Sequence, residues 1–441
     1  MIKNFEGKVA VVTGGGSGIG LSLAHAFAKR GMKIVIADIN KRSLNDALIS
    51  LNKKGAEVLS LVIDVSDLKQ VKELADATYE QFGKVNILCN NAGVGGTGPA
   101  HLLEIGNWNH TLKINLFGVI HGIISFLKRM LESGEPCHIV NTASVGGHLT
   151  GRGGPYTASK FSVVSLSEMI AHQCFNTNVG ASVLCPGLIN TNILKNTIRL
   201  RTDLKDFYRP SPKEAEINRP LIENLSKMSG LGMNPELVAD MVLYAIQNDV
   251  FYIMTHPEYI DLIKDRFDRI KNDALKISEK FPMPVREIKD NFYEYNSESL
   301  AFSISYPDYL VQVNPVPYTS QVFAASKDNF KNLHVSVSEI DPSIRLEDTT
   351  KRIVNTLKKS AKNIKIISDK QITLSDGNIA REGEIEYLNQ GIARMFSHHI
   401  SVLKNNKWIH ICVYTHPNYF TDDLKKIGYS LKFGILPANI P

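Results

Sequence analysis

The stretch KVAVVTGGGSGIGLSLAHAFAKRG, residues 8–31, decides the fold of the first part of the chain. Its apolar run at 8–12 predicts a strand, the glycines from Gly14 to Gly20 predict a turn, and the apolar spacing over 19–30 predicts a helix. Glycines let a ligand approach the backbone, and the helix start offers free N–H groups and a positive dipole end. This order predicts a dinucleotide-binding site, with a tight turn that binds nothing as the alternative.

The same alternation of short apolar runs and amphipathic segments continues along the chain. Such alternation implies right-handed βαβ units in a parallel sheet that is covered on both faces. The predicted fold class is therefore α/β with a doubly wound parallel sheet, whose ligand crevice lies at the carboxyl ends of the strands. The predicted strands are 33–37, 57–63, 85–90, 137–142, 180–185 and 250–254, and the predicted helices are 43–53, 67–82, 107–132, 157–176, 235–248 and 257–279.

The length of 441 residues indicates two or three domains, because single cores rarely grow beyond about 300 residues. Of the 31 glycines, 26 lie at or before Gly232, which places the ligand site in the first part. We predict a dinucleotide-binding domain over 1–279, a proline-containing linker over 280–290 and a smaller domain over 291–441.

The last of these domains is predicted to be α+β with an antiparallel sheet. Its short strands follow one another with few intervening helices, and Asn405-Asn406 is typical of a hairpin turn. The predicted strands are 300–305, 310–313, 320–325, 333–339, 380–388, 394–403 and 407–415, and the predicted helices are 346–360 and 419–428.

The composition excludes several classes of protein. The hydrophobic fraction of 43% and the charged fraction of 21% are those of a globular protein, and the net charge of +6 requires neither nucleic acid nor an anionic membrane. No run approaches 18 consecutive apolar residues, so we expect no membrane span. Five cysteines without a CxxC spacing argue against a disulfide framework and a metal site. The N-terminus lacks the features of a signal peptide, so we expect a cytoplasmic location.

Asp38 follows the second predicted strand, 18 residues after Gly20. A carboxylate there accepts hydrogen bonds from ribose hydroxyls and repels a 2′-phosphate, which favours NAD over NADP. Ser17 adds no cationic group for a phosphate, whereas Lys41 and Arg42 could soften the preference. The alternative is that Asp38 caps the next helix.

Two further strand ends carry candidate cofactor contacts. Asp64 and Val65 follow the third strand, where an adenine edge would lie, although a helix cap is also consistent with Asp64. Asn90-Asn91-Ala92-Gly93 ends the fourth strand, and its small and amide side chains suit a backbone packed against a cofactor. A turn alone would use the same residues.

Four polar residues form a candidate catalytic set. Tyr156 and Lys160 lie four apart at the start of a helix and so share one face. A nearby ammonium would lower the pKa of the tyrosine, which could then exchange a proton with a substrate oxygen that Ser144 holds. Asn115, on the long helix, could bend the backbone ladder and anchor a water chain. Taken alone, a tyrosine and lysine at this spacing are more commonly a surface pair.

Together these motifs resemble the classical short-chain dehydrogenase/reductase family. The resemblance rests on TGGGSGIG (13–20), Asp38, Asp64-Val65, NNAG (90–93), Asn115, Ser144, YTASK (156–160) and Pro186-Gly187 through Thr191, in family order and at family spacing. It covers about residues 5–275.

The resemblance implies a Rossmann fold, a nicotinamide cofactor and the reversible oxidation of an alcohol to a ketone. It implies Tyr156 as the acid/base, Ser144 as the residue that polarises the substrate oxygen, Lys160 as the group that lowers the tyrosine pKa and binds ribose, and Asn115 as support for a proton relay. The implied cofactor-binding residues are Gly14, Ser17, Gly18, Ile19, Gly20, Asp38, Asp64, Val65, Asn91, Ala92, Gly93, Lys160, Pro186, Gly187, Ile189 and Thr191.

The region after Thr191 caps the substrate pocket in this family, and here its apolar residues favour a lipid-like or ring-like alcohol, with core packing as the alternative. Ser144 lies one residue closer to the tyrosine than is usual, which indicates a shortened substrate loop, and His148 and Leu149 are expected to line the pocket. Thr255-His256-Pro257 is expected to begin the last helix. The apolar residues of the cap are Ile193, Leu194, Ile198, Leu200, Phe207, Tyr208, Leu221, Ile222 and Leu225.

The last domain carries no glycine-rich phosphate loop. His398 and His399 would point to opposite faces of a strand, while His410 and Cys412 would share one face. A metal site between adjacent strands is conceivable, but ordinary sheet residues are favoured. The segment FSISYP (302–307) and the order of elements resemble the Mog1/PsbP-like α/β fold, which implies a binding or interaction module.

The leading hypothesis is an NAD-dependent alcohol dehydrogenase with an accessory module, acting on a small-molecule alcohol or ketone. The alternatives are an NADPH-dependent carbonyl reductase and a nucleotide-binding scaffold or sensor without turnover. The complete set of Asn115, Ser144, Tyr156 and Lys160 argues against the last of these. Family resemblance further implies a homo-oligomer, either a dimer or a tetramer.

Overall fold

A computed structural model gives the fold, and the chain divides into two compact units, Met1–Ile277 and Ser278–Pro441. The structure describes residues 2–95, 103–149, 154–175, 177–191, 231–281, 292–297, 302–307, 310–312, 320–326, 331–339, 343–359, 361–374, 377–389, 393–404, 407–415 and 432–433, and residues 193, 212, 216 and 219 singly.

The first unit alternates strands and helices as predicted. Its strands are β1 Val9–Thr13, β2 Lys33–Asp38, β3 Val58–Val62, β4 Ile87–Asn90, β5 Cys137–Thr142, β6 Val179–Cys185 and β7 Tyr252–Met254. The helices that the structure describes in this unit are α1 Gly18–Ala28, α2 Lys41–Asn52, α3 Leu68–Phe82, α4 Ile105–Leu112, α5 Gly118–Glu132, α6 Gly154–Gln173, α7 Pro235–Asn248 and α8 Tyr259–Lys280.

The seven strands form one parallel sheet in the order β3-β2-β1-β4-β5-β6-β7. The chain first moves outward from β1 to β3 and then returns to the other side of β1 to form β4. This reversal leaves a crevice at the carboxyl ends of β1 and β4, which is where open α/β sheets bind ligands. The expectation of a doubly wound parallel sheet is confirmed.

Side chains of β1 show why these short apolar runs become central strands. Val9 and Val11 belong to the core on one face of the sheet, whereas Ala10 and Val12 belong to the core on the other face, and all four are fully buried. Burying both faces requires an unbroken apolar run rather than an alternating one.

One segment within the described residues, Ile105–Glu132, is long and apolar enough to cross a membrane when judged by length and composition alone. Half of its apolar window is nevertheless buried inside the fold. Phe126 and Met130 are fully buried in the core against the sheet. Core helices of globular proteins pass the same test, so the segment is weak evidence for a membrane span.

The second unit contains an antiparallel sheet in the order β10-β11-β12-β16-β15-β14-β13 and a three-stranded sheet in the order β17-β9-β8. Helix α9, Thr349–Leu357, packs Ile353 against Ile385 and Tyr387 of the larger sheet. The strands are β8 Phe292–Ser297, β9 Phe302–Pro307, β10 Leu310–Gln312, β11 Ser320–Ser326, β12 Lys331–Glu339, β13 Ala361–Thr373, β14 Ile379–Asn389, β15 Ala393–Lys404, β16 Lys407–Thr415 and β17 Lys432–Phe433.

Several expectations fall outside the described residues. These are the prolines of the linker, the hairpin turn at Asn405-Asn406, the helix over 419–428 and all but Ile193 of the apolar residues expected to cap the pocket. The two strands that flank the expected turn pair in antiparallel register, Lys404 with Lys407.

Candidate active site

The glycine turn between β1 and α1, here called the glycine cradle, is packed too tightly for side chains on its closest residues. Gly14 and Gly18 adopt φ values of 66° and 54°, in the left-handed region that favours glycine. A Cβ atom on Gly14 would lie 2.8 Å from the Ala92 Cα, and one on Gly20 would lie 2.2 Å from the Gly14 carbonyl oxygen. The turn therefore requires glycine both for its backbone conformation and for the packing of α1 against it.

Asp38, at the end of β2, faces this turn. Its carboxylate accepts hydrogen bonds from the Gly16 amide at 3.0 Å and from the Asn40 amide at 2.9 Å. Burial raises the pKa of Asp38, while these backbone hydrogen bonds oppose the rise. The helix-cap alternative is wrong, because the N-cap of α2 is Asn40, whose side chain accepts from the Ser43 amide.

Asp64 shows the same pattern one strand further out. Its carboxylate accepts a hydrogen bond from the Ser66 amide at 2.8 Å, and its own amide donates to the Gln70 side chain. The N-cap of α3 is Asp67 rather than Asp64. Asp64 and Val65 both line the cavity, so neither is simply part of a helix cap.

The segment after β4 is tied to the end of β1 by Thr13. The amides of Asn91 and Ala92 donate to the Thr13 hydroxyl at 2.9 and 3.1 Å, and the Asn91 side chain donates to the Thr13 carbonyl. Thr13 thus holds the two strand ends on either side of the crevice together. The sequence alone does not predict this contact, because it spans 78 residues.

A cavity of about 360 Å³ lies at this edge of the sheet. It brings together every predicted cofactor-binding residue except Gly20, and it also contains Ser144 and Tyr156. Its further lining is mainly apolar and includes Val94, Ile114 and Leu188. Gly20 serves the packing of α1 instead. Lys41 and Arg42 are exposed and do not line the cavity.

Tyr156 and Ser144 meet inside this cavity. Ser144 precedes the short turn Val145–Gly147, and its hydroxyl accepts from the Gly146 amide at 3.1 Å and lies 3.4 Å from the Pro186 carbonyl. Tyr156 is on the first turns of α6, and the Ser144 hydroxyl forms a hydrogen bond with its phenol. The two groups are therefore close enough to bind one substrate oxygen.

Lys160 follows one turn later on α6 and is 4% exposed. Its Nζ donates to the Thr142 carbonyl at 2.8 Å and lies 5.8 Å from the centre of the Tyr156 ring. Burial lowers the pKa of Lys160 to about 8. The interpretation of this residue pair as a surface pair is wrong.

The chain's own residues do not produce the expected lowering of the tyrosine pKa. Burial raises the pKa of Tyr156, and the hydrogen bond with Ser144 opposes the rise. The Lys160 ammonium is directed at the Thr142 carbonyl and is itself destabilised by burial, so it does not offset the desolvation of a phenolate.

Asn115 lies outside the cavity, on the π-helical turn Lys113–Phe117 between α4 and α5. Its side chain accepts from the Val94 amide at 2.8 Å and donates to the Val94 carbonyl at 3.0 Å and to Ser159 at 3.2 Å. The π-helical turn interrupts the regular hydrogen-bond ladder of the long helix at Asn115, and the water chain stays a prediction. Asn115 thereby fixes the position of Val94, which does line the cavity.

The loop after β6 forms the opposite wall, where Pro186, Gly187, Ile189 and Thr191 line the cavity. The Gly187 amide donates to the hydroxyl of Thr255, a residue that sequence analysis assigned only to the start of the last helix. The first residue of that helix is in fact Tyr259.

His148 does not line the cavity, contrary to expectation. Its ring Nε2 lies 3.3 Å from Cys185 Sγ, and the ring packs edge-on against Tyr252 at 5.9 Å. Burial lowers the pKa of His148, which is half-buried between these neighbours. Leu149 does not line the cavity either.

In the second unit, His399 stacks on His410 with its Nδ1 at 2.8 Å from Nε2 of the partner ring. Its Nε2 lies 4.0 Å from Cys412 Sγ. His398 faces Glu382 and Glu384 on the other side of the sheet, which confirms the predicted alternation of faces. The described residues contain no group of three or more His, Cys, Asp or Glu that could hold a metal ion.

Comparisons with known proteins agree with this geometry. The family model of the short-chain dehydrogenases matches residues 8–201. A CLA biosynthesis dehydrogenase/reductase from Lactiplantibacillus plantarum is 32% identical over 282 residues, which are 62% of this chain and 96% of that protein. The chain belongs to the short-chain dehydrogenase family. It is an oxidoreductase that acts on CH–OH groups and uses a nicotinamide cofactor.

Two further relatives of this dehydrogenase are informative, one for its name and one for its bound cofactor. The 3beta-hydroxysteroid dehydrogenase 2 of Eggerthella lenta is 36% identical over 189 residues, 42% of this chain and 73% of that protein. A short-chain dehydrogenase/reductase from Burkholderia phymatum, solved in complex with NAD, superposes with a TM-score of 0.58 at 38% identity and covers 62% of this chain and 97% of its own.

The cavity of the dehydrogenase fits a dinucleotide. Gly14, Ser17, Gly18 and Ile19 line the cavity at the start of α1, where the positive end of the helix dipole suits a pyrophosphate. Asp38 lines the same cavity, and the Pro186 carbonyl lies 3.4 Å from the Ser144 hydroxyl, so the wall formed by Pro186 and Gly187 adjoins the catalytic pair.

Proposed function

We propose that the protein is an NAD-dependent oxidoreductase that interconverts an apolar secondary alcohol and a ketone, with Tyr156 as the acid/base. The observation that carries this proposal is the meeting of Ser144, Tyr156 and the glycine cradle in one cavity at the carboxyl edge of the sheet. A retired nucleotide-binding scaffold would not need a buried Lys160 beside that pair.

Each residue has a task at a stated atom. When bound, the nicotinamide supplies the hydride acceptor in oxidation and the hydride donor in reduction. The Ser144 hydroxyl holds the substrate oxygen. In oxidation the phenolate form of Tyr156 takes the hydroxyl proton, and in reduction the phenol form donates it to the carbonyl oxygen. The wall at Pro186 and Gly187 and the glycine cradle restrict the reacting groups to one geometry, which lowers the entropic barrier.

Asp38 supports NAD as the cofactor. Its carboxylate is held by two backbone amides, so it cannot easily turn away from a 2′-phosphate. The neighbouring cations Lys41 and Arg42 are exposed and lie outside the cavity. The Burkholderia relative was solved with NAD.

The lining supports an apolar substrate. Val94, Ile114, Leu188 and Ile193 are apolar side chains that line the same cavity as the catalytic pair. Two relatives act, by name, on a hydroxysteroid and in CLA biosynthesis. We propose an alcohol of ring or long-chain type.

The proposal is tested by offering the full chain cyclohexanol, 2-octanol and a 3β-hydroxysteroid with NAD and with NADP, and the matching ketones with NADH and NADPH. We expect turnover of at least one alcohol with NAD, a preference for NAD of tenfold or more in kcat/KM, and slower turnover of polar alcohols such as glycerol. Turnover with NADPH alone would establish the alternative, a carbonyl reductase. No turnover with any pair would contradict the proposal.

We also propose that the chain forms a dimer or tetramer in the cytoplasm. Phe117, Ile124 and Leu131 are spaced by seven residues along one side of the α5 segment and are 46%, 54% and 36% exposed. A second copy of the chain would cover this stripe. For the second unit, over about 291–441, we propose a binding role.

A further inference from the structure

The ends of β6 and β7 lie side by side, because the strands are parallel and Cys185 pairs with Met254. The residues that follow each strand therefore leave the sheet together. The Gly187 amide donates a hydrogen bond to Thr255 Oγ1 over 3.0 Å, and Thr255 is 2% exposed. The Gly187 amide is part-buried and has no regular sheet hydrogen bond beyond the strand end, so the Thr255 hydroxyl provides its partner.

His256 contacts the same threonine hydroxyl and the loop backbone. Its Nδ1 lies 2.6 Å from Thr255 Oγ1, and its ring packs edge-on against Tyr259 at 6.1 Å. A Cβ atom on Gly187 would lie 2.6 Å from the same Nδ1, so the imidazole sits directly against the Gly187 backbone. We call Thr255 and His256 together the loop clamp, since one provides a hydrogen bond and the other a steric stop.

The position of this loop also affects Ser144. The Pro186 carbonyl accepts a hydrogen bond from the Val145 amide at 2.9 Å and lies 3.4 Å from the Ser144 hydroxyl. A shift of the Pro186–Gly187 peptide therefore changes both the wall of the cavity and the orientation of the serine that faces Tyr156.

We propose that Thr255 and His256 are positioning residues that hold the Pro186–Gly187 loop at the nicotinamide end of the cofactor site. This inference rests on the proposed function. Neither residue lines the cavity, so both act through the loop. Loss of the clamp lets the loop move, which weakens cofactor binding and widens the distribution of hydride-transfer distances.

The test replaces Thr255 with Val, which removes the hydroxyl and retains the shape. We expect NADH to bind about fivefold or more weakly in a fluorescence titration of the full chain, because the Gly187 amide loses its partner. With the fastest alcohol of the panel, we expect kcat to fall about tenfold, KM for the alcohol to change less, and the primary deuterium isotope effect on kcat to rise. Thr255→Ser should recover most of the loss.

The matched control is Thr177→Val. Thr177 Oγ1 accepts from the Val179 amide at 3.1 Å, the same contact at the opposite end of β6. We expect the Thr177→Val variant to have a lower thermal stability with unchanged NADH affinity and an unchanged isotope effect. If Thr255→Val does not fold, His256→Leu takes its place with the same expected losses.

NADH affinity and kcat in Thr255→Val equal to those in Thr177→Val would overturn the inference. A protein that turns over no alcohol would contradict the proposed function alone, since the NADH titrations would still decide whether the clamp exists.

Discussion

Asp38 carries the choice of cofactor at the scale of a single residue. Its carboxylate accepts from the Gly16 and Asn40 amides, and these hydrogen bonds oppose the rise in pKa that burial causes. Asp38→Asn keeps an oxygen acceptor and removes the charge. We expect this variant to bind NADPH about tenfold or more tightly than the parent, because a carboxylate no longer faces the 2′-phosphate. Paired NADH and NADPH fluorescence titrations measure this effect.

Asp46→Asn provides the control, because Asp46 is an exposed residue of α2 that does not line the cavity. It removes the same charge a short distance away. An equal gain in NADPH affinity in both variants would mean that the net charge of the protein sets the preference for NAD over NADP. The local position of the Asp38 carboxylate would then not be the cause.

Residues of the site were predictable from the sequence where a short local pattern indicates them. Gly14, Asp38 and Tyr156 stand at strand ends or at helical spacing, and the structure places all three in the cavity. Thr13 and Thr255 were missed because their partners lie 78 and 68 residues away. No local pattern distinguishes such a threonine from any other residue at a strand end.

At the scale of the elements, the parallel sheet contains a buried histidine whose protonation makes the stability of the fold depend on pH. His138 on β5 is 1% exposed, and its Nε2 lies 2.8 Å from Ser182 Oγ on β6. The Ser182 hydroxyl donates to the Val250 carbonyl, so the imidazole is the donor in the first contact. Burial lowers the pKa of His138 to about 4.

The unfolded chain binds a proton at this histidine near pH 6.5, whereas the folded protein does so only near pH 4. Above pH 6.5, neutral His138 therefore contributes fully to the free energy of unfolding. This contribution, up to roughly 3 kcal/mol, is lost as the pH falls toward 4. His138→Gln should flatten this part of the stability curve, measured by urea unfolding at several pH values. Parallel curves for the parent and the variant would contradict the assignment.

Elements were predictable where burial is continuous on both faces, as in β1. Strand β13 was missed for the opposite reason. It is an edge strand, most of its residues are exposed, and its register shifts between Lys362 and Lys365, next to Asn363 with a φ of 53°. Its sequence therefore shows neither an apolar run nor a clean alternation.

At the scale of the whole molecule, the ligand-binding cavity and the buried histidine cluster lie in different units. The cavity and its glycine cradle belong to Met1–Ile277, whereas Ser278–Pro441 carries a buried cluster around His399 and His410 without a metal group among its described residues. Burial lowers the pKa of His410 to about 3, so this cluster is neutral at physiological pH. The uneven distribution of glycine in the sequence already pointed to this division.

The central claim is that one phenol, that of Tyr156, exchanges the proton while a hydride is transferred in this cavity. The most direct measurement is the rate of NADH formation by full-length Tyr156→Phe, with NAD and the fastest alcohol of the panel, beside NADH affinity from titration. We predict a loss of at least about 100-fold in kcat with NADH affinity within a few-fold of the parent. A variant that turns over within a few-fold of the parent would contradict the claim.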